Sequence, residues 1–341
     1  VRIFGWAADA ASGCWWYRIK LPLDALRDLG HETDYSPRMP PEWWDKPEVV
    51  IGQRVYTTEA TTRWEQLAKR PDRPLMVYET DDDLLNIDPS IPNAYAVWSR
   101  PEVQDNMRRC IQLADLVTVS TEPLADVLRP LNPNIAVLPN YIPRRLLRHP
   151  LVPDPEPGGP TVIGWAGTPT HAVDFEECAA ELCKFVLRTT NVHYYSMGVL
   201  VNGNPGLFAS LEELLQRPDQ VHLAGWFPLP YYYSALGFHI GLAPIRASTF
   251  NQSKSPIKAM EYAARGAAVI ASNTGPYARY VRHGETGLLA ARPQQWRIHL
   301  RTLVNDPAMR RELVAKAHAH VSTLTIEDHA HEWADAIRSH L

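Results

Sequence analysis

Short apolar runs alternate along the chain with longer stretches in which apolar residues recur at helical spacing. In the first part the runs are VRIFGWA, EVVIGQ, PLMVYE, DLVTVS and NIAVLP, and the stretches between them predict helices over about 17–29, 59–69 and 101–113. Uninterrupted apolar runs of this length suit strands covered on both faces, so the alternation predicts a parallel sheet with helices on either side.

The pattern stops at HPLVPDPEPGGP, residues 149–160, where the prolines can continue neither a helix nor a central strand. It then starts again with TVIGWAG, a helix over about 173–189, VHYYSMG, QVHLAG, FHIGLAPI, a helix over about 256–265, AAVIAS and TGLLA. The pattern predicts an α/β protein of two similar doubly wound, Rossmann-like domains, 1–148 and 149–322, followed by a helix over 323–341. Open sheets of this type bind ligands outside the carboxyl ends of their strands, which here would face a cleft.

Composition narrows the classes of function. The 341 residues suit two domains of roughly 150. With 45% hydrophobic and 21% charged residues and a net charge of −4, the chain has no global basic field for nucleic acid or an anionic membrane. No apolar run reaches the roughly 18 residues of a spanning helix. The opening VRIFGWAADA lacks the flank and core of a signal peptide, and Cys14, Cys110, Cys178 and Cys183 form no framework spacing, so a cytoplasmic location is expected.

The densest candidate chemistry lies in FNQSKSPIKAMEYAARGAAVIAS, residues 250–272. Ser255 before Pro256 signals an N-cap and Gly266 a C-cap, so a short helix is expected to present its free N-H groups to an anion. Lys254 just ahead of that terminus would complete a diphosphate site, and Glu261 about two turns on could accept from a pair of sugar hydroxyls. A capped amphipathic helix with both residues on its wet face is the alternative.

This segment, with GPYARYVRHGETGLLA at 275–290, resembles the donor-binding half of GT-B glycosyltransferases, and most nearly their large retaining family 4 group. That group usually carries two glutamates with seven residues between them. Here Glu261 matches the second and Ser253 stands at the first, as in a branch where a Lys-Ser pair, Lys254-Ser255, leads the helix. The resemblance implies that GWAGTPTHAVDF faces the donor phosphates, with Gly167, Thr168, Thr170 and His171, and that Gly225, Trp226 and Phe227 lie beside the nucleobase. An ordinary strand-to-helix turn is the other reading of the first of these loops. In the loop at residues 9–22, Gly13 would border the donor phosphate, and Trp16, Tyr17 and Arg18 the acceptor. Trp15 and Trp16 could equally be buried.

The stretch ETDDDLL, residues 79–85, bears three consecutive aspartates at the end of an apolar run. A metal-chelating DxD belongs to a different glycosyltransferase fold. With Lys254 and a helix terminus available for the diphosphate, no metal is expected. Asp81, Asp82 and Asp83 are assigned to the acceptor side, one orienting or deprotonating a hydroxyl and another capping the next segment, against an alternative of solvated acids. His318, His320, His329 and His331 have no partners at metal-ligand spacing. The expectation is thus a retaining, metal- and cofactor-independent transferase that moves a sugar from a nucleotide diphosphate sugar to a hydroxyl on a saccharide, metabolite, protein or modified DNA base. A non-catalytic sugar-nucleotide or glycan-binding module, or a phosphorylase or epimerase on the same fold, is the alternative.

Overall fold

The computed structural model describes residues 1–7, 12–44, 46–198, 214, 216–229 and 231–341. The chain divides into two compact units. The first comprises Val1–Pro143, Gln252–Ser255 and Leu324–Leu341, and the second Arg144–Asn251 and Pro256–Thr323. Gln252–Ser255 therefore group with the first unit although they sit in the middle of the second in sequence.

In the first unit β1 (Arg2–Trp6), β2 (Glu32–Ser36), β3 (Val49–Gln53), β4 (Leu75–Thr80), β5 (Leu116–Val119) and β6 (Ile135–Val137) form a parallel sheet in the order β2-β1-β3-β4-β5-β6. The residues of β3, β4 and β5 are all buried, as their unbroken apolar runs require. The edge strand β2 reads ETDYS and buries only Thr33, which is why no apolar run announced it. Val50, Trp64, Met76, Tyr78, Ile111 and Leu124 share one core cluster of this unit. Helices start where the chain supplies a cap: the Thr57 hydroxyl accepts from Ala60 N ahead of Thr58–Ala68, and the Thr121 hydroxyl accepts from Leu124 N ahead of Glu122–Leu128.

The helix expected over 17–29 begins earlier. Ser12 caps Gly13–Trp15, a π-helical turn covers Trp16–Lys20, and α-helix resumes over Leu21–Asp28. The helix Ile326–Arg338 packs on Leu21–Asp28, and Ile142 joins its entry by donating to Leu324 O and accepting from Ile326 N.

In the second unit β7 (Thr161–Ala166), β8 (Val192–Met197), β9 (Val221–Ala224), β10 (Ile240–Ala243), β11 (Ala268–Ser272) and β12 (Leu288–Ala290) form a parallel sheet ordered β12-β11-β10-β7-β8-β9. Ile163, Phe175, Leu182, Tyr194, Ile240, Ile270 and Leu300 belong to its core. The short helix Ile257–Ala264 stops at Gly266, whose φ of +80° lets Ala267 N turn back to Tyr262 O at 2.9 Å.

The sheets are less alike than the sequence pattern implies. The first reverses its strand order between β1 and β3, after one crossover, and the second between β7 and β10, after two. Those reversals are where open α/β sheets leave a crevice at their carboxyl ends.

Candidate functional site

In the first unit the pairing Gln53↔Glu79 brings the ends of β3 and β4 side by side. Arg54 follows β3 at once and takes φ +48°, a left-handed conformation that costs a non-glycine residue about 1–3 kcal/mol. Its N-H donates to Glu79 O at 2.9 Å, which fixes the turn. The bend lets Nη2 of the guanidinium donate to Asp81 Oδ1 and Asp82 Oδ2, each at 2.6 Å, and lie 2.9 Å from Cys14 Sγ. Asp82 Oδ1 accepts from Lys254 Nζ at 2.9 Å. The result is an alternating set of two cations and two carboxylates whose side chains are no more than 18% exposed, dry enough for the charges to matter. Burial raises the Cys14 thiol well above its ordinary range, so it remains protonated at neutral pH.

Cys14, Asp81 and Asp82 place one ligand atom each within 4.8 Å of one another, a spacing that could hold a metal ion. The guanidinium nitrogen of Arg54 hydrogen-bonds to all three, so the cationic partner of this cluster is an arginine.

Several expectations are corrected by this geometry. The capping expected of one of the three aspartates falls to Asp83, which leaves Asp81 and Asp82 as the charged pair. Asp83 is buried and turns away to cap the 3-10 turn Leu84–Asn86, accepting from Asn86 N and Nδ2, while burial raises its carboxyl. Lys254, expected in a phosphate site apart from the aspartates, is paired with one of them. Ser255 does not cap the helix. The cap position is Pro256, without a side-chain bond, and Ser255 Oγ accepts from Asn140 Nδ2 at 2.9 Å. Ser253 is buried, and its carbonyl accepts from the Thr121 hydroxyl at 2.7 Å.

Trp16, Tyr17 and Arg18, expected to border an acceptor, are all buried. Arg18 is fully enclosed in the first unit. Its Nε donates to Glu79 Oε1 at 2.6 Å, its Nη1 to Leu138 O and Asn140 Oδ1, and its guanidinium lies 5.1 Å from the Trp333 ring. This is the setting of a structural ion pair. Burial pushes Glu79 up to about 7 against the pull of Arg18. Gly13 opens the first helical turn on the surface, and Asp9 lies outside the described residues.

In the second unit Gly167 follows β7, and a Cβ there would stand 2.5 Å from the Trp165 ring, so the position demands glycine. Lys258 Nζ donates to Ala166 O at 2.6 Å and lies 5.4 Å over Trp165, while Ala166 N donates to Tyr262 OH at 3.0 Å. One short helix thereby fixes both backbone polar groups at the strand end. Thr168 and Thr170 share a hydroxyl contact of 2.8 Å and are exposed. His171 Nδ1 lies 3.0 Å from Asp174 Oδ2, and the other oxygen of this buried carboxylate accepts from Arg246 N and Asn251 Nδ2. Glu261 is buried, and its Oε2 accepts from Tyr232 OH at 3.0 Å, so it lies off the wet face that the amphipathic alternative gave it. Trp226 is 59% exposed beside half-buried Gly225 and Phe227.

Sequence reasoning missed Arg54, Cys14, Tyr232, Lys258 and Asp174. Arg54 had a signal, since it directly follows an apolar run and therefore a strand's carboxyl end. Tyr232 had none, because its partner is 29 residues away in sequence.

With the geometry in place, comparison with known proteins supplies the class. Residues 162–306, less than half of the chain, match the family described as "Glycosyl transferases group 1". No curated protein matches the sequence with significance. Among solved structures, sucrose-phosphate synthase from Thermosynechococcus elongatus superposes with a TM-score of 0.69 at 16% identity, covering 99% of this chain and 98% of that one. Anabaena HepE in complex with UDP-glucose gives 0.70 at 13% identity, covering 99% of both. The lipopolysaccharide outer core galactosyltransferase WaaB gives 0.63 at 15% identity, covering 100% and 99%. The fold is GT-B, and residues 162–306 of the chain resemble the domain of group 1 glycosyltransferases. No helix of the described residues is long and apolar enough to cross a membrane.

Proposed function

We propose that the protein transfers a sugar from a nucleotide diphosphate sugar to an acceptor hydroxyl, with retention of configuration and without a metal, as a Lys-Ser variant of the family 4 group. The observation that carries the reading is Glu261: a buried carboxylate on a short helix inside the matched region, held at one oxygen by Tyr232, which suits a pair of ribose hydroxyls. The UDP-glucose bound by Anabaena HepE supports a nucleotide sugar as donor. Gly167, Thr168, Thr170 and His171 would serve the phosphates, and Gly225, Trp226 and Phe227 the base.

Lys254 neutralises the departing diphosphate. In the free protein its ammonium is held by Asp82, so it stands ready as a charge and loses that partner when a stronger anion arrives. Asp82, then relieved of one cation, becomes a better acceptor for the proton of an incoming hydroxyl, with Asp81 held beside it by Arg54. Arg54 does at this cluster what a divalent ion would do, which supports metal independence.

The test is a panel of nucleotide sugars assayed for release of nucleotide diphosphate, with and without a chelator. Turnover of one donor that survives chelation is expected. Saturable binding with no release would replace the enzyme with a binding module, and loss of activity that manganese restores would reinstate the metal.

A further inference from the structure

A cleft in the first unit opens at the reversal of strand order, lined by Trp6 and Ala7 at the end of β1, residues 53–57 at the end of β3, Pro37 and Arg38. It encloses about 170 Å³, below the roughly 300 Å³ at which pockets begin to take a whole drug-sized ligand, so it receives one end of a molecule.

Its unmatched buried polar atoms, among the described residues, are donors. Gln53 is 2% exposed and its Nε2 is buried with no partner among the described residues, and the Nε of Arg54 is in the same condition. Buried donors left unmatched cost about 1–3 kcal/mol each, so the pair is suited to acceptor atoms of a ligand seated in the cleft. Arg38 stands exposed at the rim, and its side chain has no ion-pair partner among the described residues. The one carboxylate among the described lining residues, Glu59, is engaged by Arg63 at 2.9 Å. Apolar walls come from Trp6, whose indole N-H is fixed on Pro37 O at 3.1 Å, and from Tyr56, whose ring lies 4.5 Å from that of Trp98. Rings held in this way offer flat faces to a sugar.

We propose that this cleft binds an anionic, monosaccharide-sized end of the acceptor, a carboxylate or a phosphate ester, with Gln53 and Arg38 donating to its oxygens and Trp6 and Tyr56 flanking its ring. The inference rests on the glycosyltransferase reading and deepens it. Arg54 lines the cleft and binds Asp81 and Asp82, so a ligand seated here lies next to the carboxylates that would receive the hydroxyl proton.

The experiment titrates the whole protein with D-glucuronate, D-glucose 6-phosphate and D-glucose, each with and without UDP. At least one of the anionic sugars should bind about tenfold more tightly than glucose, and the arm that does so identifies carboxylate or phosphate as the group. Arg38→Ala, at an exposed position, should remove about that factor, and Gln53→Leu should weaken the same ligand. Equal affinity for all three sugars, or unchanged affinity in Arg38→Ala, would overturn the proposal. So would displacement of the anionic sugar by UDP, since the cleft would then belong to the donor. Failure of UDP to bind the wild-type protein would count against the nucleotide-sugar reading instead, whatever the anionic sugars do.

Discussion

The carboxyl ends of the two sheets are furnished differently. At β3 and β4 the first unit gathers side-chain charge, with Arg54 and Lys254 interleaved between Asp81 and Asp82. At β7 the second unit gathers backbone, with Gly167 unable to carry a side chain and Ala166 held at both its N-H and its C=O. Two open sheets of one chain, built on the same alternation of strand and helix, thus differ in the residues placed just beyond their strands.

The largest change is expected in the scaffold beneath the charged end. Arg18→Ala strips Glu79 Oε1, Leu138 O and Asn140 Oδ1 of their buried donor and empties the space against Trp333, so the first unit should lose about 3–5 kcal/mol of stability, read by urea unfolding. A small change would show that the enclosed guanidinium contributes little to the fold of the first unit. Next, Lys254→Ala should lower turnover by roughly two to three orders of magnitude with the fold retained. Full activity in that variant would dissolve the contrast between the two units, because the charged end would then be ornamental.

Smaller effects probe the second unit. Tyr232→Phe removes one hydrogen bond to Glu261 and should weaken donor binding by about fivefold to tenfold in calorimetry, while Glu261→Ala should weaken it more. Equal donor affinity in both variants and the wild type would detach Glu261 from the nucleotide. The pH dependence of stability tests Glu79. Because its folded value is raised to about 7, the native state keeps a proton that the unfolded chain gives up in the ordinary carboxyl range. Stability should therefore fall as pH rises from about 4.5 toward 7 and level off above, and Glu79→Gln should flatten that slope. Last, Asp83→Ala should cost about 1 kcal/mol as a lost cap and leave kcat near that of the wild type, unlike Asp82→Asn.

Much of the architecture was legible in the chain, and the illegible parts share a cause. Strands β3, β4, β7, β10 and β11 are central and buried on both sides, so their apolar runs had to be unbroken. Strand β2 pairs on one side only, and an edge strand needs no such run. Gly266 was readable because a helix that ends before a strand needs a left-handed residue. Arg18 was misread because a charged residue beside aromatics carries no local mark of whether a carboxylate 61 residues away will enclose it.

Periodicity, proline and glycine act through neighbours along the chain, so the sequence alone sufficed for the parallel α/β architecture and the short helix bearing Glu261. The assembled fold was needed to learn that Lys254 meets Asp82, 172 residues away, that Arg54 stands among three potential metal ligands, and that the strand orders differ. Contacts of that separation are set by which strands lie side by side, and strand order is a property of the whole sheet that no local window contains.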